Sequence, residues 1–126
     1  MKREKFEMEF LFKASPSILY TFLTTPACIV RWFCDSVDIQ GDIYTFSWEG
    51  FEEVAEMIDD IEEERLRFKW LDADNPEEYF EYRLSKSAVT GETILEIVDF
   101  AFEDEINDQE QLWTSQINQL RKETGG

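Results

Sequence analysis

The stretch Asp104–Lys122, DEINDQEQLWTSQINQLRK, carries Ile106, Trp113, Ile117 and Leu120 at steps of seven, four and three. That spacing stacks the four apolar side chains on one face of a helix. Asp108, Gln111, Ser115, Asn118 and Lys122 fall on the opposite face, so the helix has a dry side and a wet side. Glu103, Asp104 and Glu105 crowd its expected first turn, Arg121 and Lys122 close its last, and Gly125 follows as a stop. A dry stripe centred on a tryptophan must lie against an apolar surface. Working outward, almost everything upstream reads as strands able to supply one.

Phe6, Met8, Phe10 and Phe12 alternate with Glu7, Glu9 and Lys13, a half-buried strand whose polar face is broken by Leu11. Ser15-Pro16 then gives an N-cap followed by proline at the first helical position, and Thr25-Pro26 repeats the signal. Two separate short helices are expected, the first carrying Ile18, Leu19, Phe22 and Leu23, the second running through Ile29, Trp32 and Phe33. From Val37 onward the period becomes two. Tyr44, Phe46 and Trp48 share a face between the turns Gly41-Asp42 and Glu49-Gly50. Phe51–Ile58 is a weaker strand, and Asp59–Glu64 an acidic connection. Leu66, Phe68 and Trp70 alternate cleanly with Arg65, Arg67 and Lys69, as do Phe80, Tyr82 and Leu84 with Glu81, Arg83 and Ser85. Thr93–Phe102 is the last strand. The expected order is strand, two short helices, about five strands, one long helix: an α+β plan with an antiparallel sheet folded around the C-terminal helix.

The chain has 126 residues, a natural length for a single domain spanning 1–126. Its 12 basic residues are outnumbered by 29 acidic ones, giving a net charge of −17. A phosphate backbone or an anionic membrane surface needs the opposite sign, so nucleic-acid and membrane partners are excluded as expectations. No apolar run approaches the length of a membrane span, and the start of the chain lacks the apolar core of a signal peptide. Cys28 and Cys34 lie six apart in the expected second helix, poorly placed to bond to each other. They read as reduced thiols of a cytoplasmic protein.

Histidine is absent, which removes imidazole triads, histidine-ligated zinc and the commonest general base together. No catalytic residue, metal or cofactor is expected. The loop Asp72–Glu78 has alternating oxygens like a calcium loop, but Pro76 occupies a ligand position and the turn glycine is missing, so it reads as a solvated turn. Asp99 is more telling. It shares parity with Thr93, Leu95 and Ile97, so its carboxylate should point into apolar surroundings, be desolvated and seek a partner. Glu110 falls inside the dry stripe of the last helix in the same way, so either acid could anchor a ligand; the alternative for both is a place at the rim, reaching water. Trp32, Trp48, Trp70 and Trp113 all occupy apolar faces, where rings pack a core or wall a cavity.

Taken in order, Ser15-Pro16 with Tyr20, Leu23-Thr24 and Pro26, then Trp32-Phe33, Gly41, Tyr44–Gly50, Leu66–Trp70, Gly91–Thr93 with Leu95, Ile97 and Phe102, and finally Trp113 with Leu120 are together specific. In these motifs the chain resembles the START-like (SRPBCC, Bet v 1-type) superfamily, and within it bacterial homologues of the chaperone-ATPase activator domain. The resemblance implies a helix-grip fold, a curved antiparallel sheet closing round the long C-terminal helix with a cavity between them. It implies hydrophobic small-molecule binding in many members and chaperone binding in some. Family members often carry histidine where this chain has Asp99, and a glycine near Glu56.

The resulting expectation is a non-enzymatic protein holding an apolar or aromatic small molecule between sheet and helix. Its expected walls are Trp32, Phe46, Trp48, Phe68, Trp70, Tyr82, Leu95, Ile97 and Trp113, with Asp99 as polar anchor. A surface module docking a chaperone or other protein is the alternative. A cyclase or hydrolase ranks last, because no nucleophile-and-base pair can be assembled without histidine.

Overall fold

The computed structural model describes residues 2–73 and 75–126. The first strand, β1 (Arg3–Phe12), is followed by α1 (Pro16–Thr24) and α2 (Pro26–Ile29). Six strands come next: β2 (Ser36–Gln40), β3 (Ile43–Trp48), β4 (Phe51–Ile61), β5 (Arg65–Trp70), β6 (Phe80–Lys86) and β7 (Thr93–Phe102). The long helix α3 (Ile106–Glu123) closes the chain. All seven strands make one antiparallel sheet in the order β1-β7-β6-β5-β4-β3-β2. The sheet curves around α3, which is the helix-grip arrangement.

Each helix start has a local cause. Ser15 caps α1, its hydroxyl accepting from the Ile18 N–H at 3.2 Å, and Pro16 fills a first-turn position where no donor is needed. Thr25 is extended, ending α1 and preceding Pro26 of α2, so the two helices are separate as the paired motifs predict. The Thr25 side chain makes no capping bond, and α2 is one turn rather than a helix reaching Phe33. Irregular turns carry the chain on through Val30–Phe33, with Phe33 N–H still bonded to the Ile29 carbonyl at 2.9 Å. Cys28 therefore lies in α2 and Cys34 beyond it; both are free.

Three further differences from the sequence reading have simple reasons. Six strands follow the helices, not about five, because Val37 and Ile39 belong to a strand of their own that turns at Gly41-Asp42 and pairs with β3. The acidic run Asp59–Glu64 is not all connection. A bulge between Met57 and Asp59 lets β4 continue to Ile61, so Asp59 pairs with Arg67 and only Glu62–Glu64 turn the chain. Helix α3 starts at Ile106, leaving Glu103–Glu105 just ahead of its first turn. The two-residue turn Glu49-Gly50 has positive φ at both positions (47° and 88°), the geometry of a type I′ hairpin. Glu49 tolerates this with its N–H donated to the Asp35 carboxylate at 2.7 Å.

The core lies between the inner sheet face and α3. Trp113, Ile117 and Leu120 are buried there, as the stripe requires, and Asp108, Gln111, Ser115, Asn118 and Lys122 are exposed. The outer sheet face holds one unexpected buried charge. Glu81 is fully buried, held between the guanidinium groups of Arg67 and Arg83, and Arg67 in turn lies 4.1 Å over the Tyr79 ring. Paired charges of this kind tolerate burial that a lone carboxylate would not.

Candidate functional site

Strand lengths create the site. β6 begins only at Phe80 and pairs with β7 no further than Val98, so the end of β7 from Asp99 to Phe102 has β1 alone as a neighbour. Between that end, the end of β5 at Trp70 and the start of α3, the sheet and helix leave a cleft of about 630 Å³, open on one side. That volume is in the range of small-molecule sites.

Aromatic rings and polar side chains share its walls. Trp48 comes from β3, Trp70 from β5, Trp32 and Phe33 from the turns after α2, and Trp113 from α3. Hydrogen bonds fix three of the indoles. Trp32 Nε1 donates to the Phe22 carbonyl at 2.9 Å, Trp48 Nε1 to the Phe33 carbonyl at 2.6 Å, and Trp113 Nε1 to Asp99 Oδ2 at 2.9 Å. Gln116 Nε2 also donates to the Phe33 carbonyl, at 3.0 Å, tying α3 to the same turn. Phe33 stacks on Trp113 with centroids 6.0 Å apart.

Asp99 points inward, as its parity predicts. Its second oxygen, Oδ1, accepts from the Phe100 N–H at 2.8 Å. Burial pushes its carboxyl up to about 6, against the opposing pull of the Trp113 and Phe100 hydrogen bonds and of Arg3. Burial likewise drives the Tyr82 phenol well above its usual range, with Asp99 and Cys34 adding to the effect. The Cys34 thiol is pushed up to about 11, also by burial, which leaves it a poor nucleophile. The site thus offers one inward carboxyl able to exchange a proton near neutrality, set among aromatic faces.

At the mouth, Arg3 of β1 reaches Glu78 in the loop before β6. The contacts are Nε to Oε2 at 3.0 Å and Nη2 to Oε1 at 2.6 Å. The Arg3 guanidinium also lies 4.8 Å over the Phe102 ring. A second cleft of about 460 Å³ adjoins this one and shares Arg3, Glu53, Trp70 and Glu78 with it. Among the described residues no group of three side chains suits a metal ion. Asp74, part of the calcium-like loop, lies outside the described residues.

Of the ten side chains anticipated from sequence, Trp32, Trp48, Trp70, Asp99 and Trp113 line the cleft. Phe46, Phe68, Tyr82, Leu95 and Ile97 lie buried beneath it in a packed cluster of rings and aliphatic groups, and do not reach its surface. Glu110 is half-buried and outside the cleft. Sequence reasoning missed Phe33, Glu53, Arg3 and Glu78. Glu53 left a signal, since period two puts it on the inward side of β4 with Ala55. Arg3 and Glu78 left none, being 75 residues apart.

A family model described as a START-like superfamily domain matches residues 1–126. Among solved structures, BfR322 from Bacteroides fragilis is 37% identical, with a TM-score of 0.70, over 100% of this chain and 94% of that one. The Aha1 dimer from Colwellia psychrerythraea superimposes with a TM-score of 0.81 at 15% identity, covering 96% of each chain. CalU16 from Micromonospora echinospora gives a TM-score of 0.73 at 20% identity, over 94% of this chain and 73% of that one. The last two likenesses are likenesses of fold. No curated protein matches the chain. Among the described residues no helix is long and apolar enough to cross a membrane.

Proposed function

The chain belongs to the START-like superfamily, and from that premise we propose that it is a non-enzymatic binder of an apolar or aromatic small molecule, held in the cleft between sheet and C-terminal helix. The observation that carries the reading is the cleft itself. Space of about 630 Å³ is walled by four indoles, three of them fixed by hydrogen bonds, with the Asp99 carboxylate bonded to one of them and the carboxylates of Glu53, Glu78 and Glu105 also in the lining. Rigid aromatic walls suit an apolar or aromatic guest, because little side-chain entropy is lost on binding. Trp32, Trp48, Trp70 and Trp113 serve as walls, Asp99 as anchor, and Phe46, Phe68, Tyr82, Leu95 and Ile97 as the packed floor that holds them. We take the protein to be cytoplasmic, in keeping with its two free cysteines.

Titration with the neutral dye Nile red tests this reading. Saturable, one-site enhancement of dye emission is expected, abolished by Gln109→Trp, which fills the cleft from α3 while leaving the core alone. Unsaturable binding, or binding indifferent to that substitution, would reject it. The surface module that docks a protein partner, the other habit of this superfamily, would then take its place.

A further inference from the structure

We propose that the cleft selects an organic cation: an ammonium group carried on an aromatic or otherwise apolar body. This rests on the small-molecule reading of the same cleft and narrows it to a ligand class.

The charges around the cleft are one-sided. Its described lining includes the carboxylates of Glu53, Glu78, Asp99 and Glu105, against the single guanidinium of Arg3. Arg3 is already engaged by Glu78 through both nitrogen contacts, at 3.0 and 2.6 Å. An anionic guest would therefore meet unneutralised carboxylates with no uncommitted cation among those residues. A cationic guest meets the reverse, and the net charge of −17 draws it in from solution.

The rings favour the same sign. Aromatic faces carry negative potential, most strongly on tryptophan, and a desolvated cation over such a face is attracted. Trp48 and Trp70 present half-buried indoles to the cleft, with Trp32 and Trp113 deeper. An ammonium group seated between these faces and Asp99 would satisfy a carboxylate that burial has left short of a full counter-charge.

Asp99 also couples this selectivity to pH. The charged and titratable groups around it are Arg3 from β1, Glu78 from the loop before β6, Tyr82 from β6 and Glu105 ahead of α3. Of these only Arg3 favours its ionised form, alongside the hydrogen bonds from Trp113 and the Phe100 N–H. A bound cation adds to that side and draws the Asp99 proton off. Affinity for a permanent cation should fall as pH drops through about 6.

The test compares 2-naphthylmethylammonium, 2-naphthylmethanol and 2-naphthylacetate by isothermal titration calorimetry at about pH 7.5, near neutrality where Asp99 is mainly ionised. The ammonium probe should bind about tenfold more tightly than the alcohol, and the carboxylate most weakly. Asp99→Asn and Glu53→Gln should each shrink the ratio of ammonium to alcohol affinity. Asn keeps an acceptor for Trp113, and circular-dichroism spectra matching the wild type would certify both folds. Equal affinity for ammonium and alcohol, preference for the carboxylate, or a preference that survives both substitutions would overturn the cation inference and leave the small-molecule reading standing. Failure of all three probes to bind the folded protein would overturn both.

Discussion

Asp99 concentrates the chemistry of the molecule at one residue. Its folded-state carboxyl stands at about 6 against an ordinary value of 3.8, with burial as the first cause. The folded protein therefore holds this proton more tightly than the unfolded chain does. The stabilising contribution is fully present below about pH 4 and is lost as pH rises through about 6. Ionised Asp99 costs on the order of 3 kcal/mol at neutral pH. Asp99→Asn removes the titration but keeps the acceptor for the indole. Melting curves should show the variant gaining on the wild type between about pH 4 and 7, and an unchanged difference across that range would contradict the assignment. At this scale much was legible. Parity put Asp99 on the face of Leu95 and Ile97, because a strand has only two faces, but left open whether its carboxylate stays inside or reaches water at the rim. That it bonds to Trp113, 14 residues on, depended on the angle at which α3 crosses β7, which no local pattern encodes.

Among the elements, α3 contributes the largest single anchor. Trp113 is 6% exposed and packs against Phe33, Phe80 and Tyr82 while bonding to Asp99. Its inner side is solidly packed although another edge lines the cleft, so Trp113→Ala should cost about 3–4 kcal/mol in chemical denaturation. A loss below about 1.5 kcal/mol would mean that the ring is only loosely supported. The two short helices make a paired test. Ser15 caps α1 through its hydroxyl and Thr25 does not cap α2, so Ser15→Ala should cost about 1 kcal/mol and Thr25→Ala only a few tenths. Equal costs would contradict the capping assignment. The Ser-Pro and Thr-Pro signals located both helix starts, since proline tolerates few other positions. They could not tell which cap is formed, because that depends on where neighbouring donors lie. The bulge in β4 was equally hidden: Glu56, Met57, Ile58 and Asp59 alternate too weakly to mark an extra residue.

For the molecule as a whole, the plan followed from periodicity and the order of elements, with one dry helix and a run of two-faced strands leaving few ways to bury both. The resemblance carried by the tandem caps and tryptophan strands chose among those ways, and the START-like family match agrees with it. The cleft was less legible. It exists because β6 stops short of the end of β7, a difference in strand length that only three-dimensional pairing reveals. The same shortfall explains why three of the anticipated wall residues form the floor instead: Leu95, Ile97 and Tyr82 sit where β6 and β7 are paired, whereas Asp99 sits beyond the last pair. The central claim is that this opening receives a small apolar guest. Its most direct test is a proton–nitrogen NMR titration that follows the four indole N–H signals as neutral 2-naphthylmethanol is added. The signals of Trp48, Trp70 and Trp113, together with the amides of Asp99–Ala101, should shift saturably while the amides of β2 remain still. Shifts confined to the sheet edge or scattered over the surface, with those indoles unmoved, would contradict it.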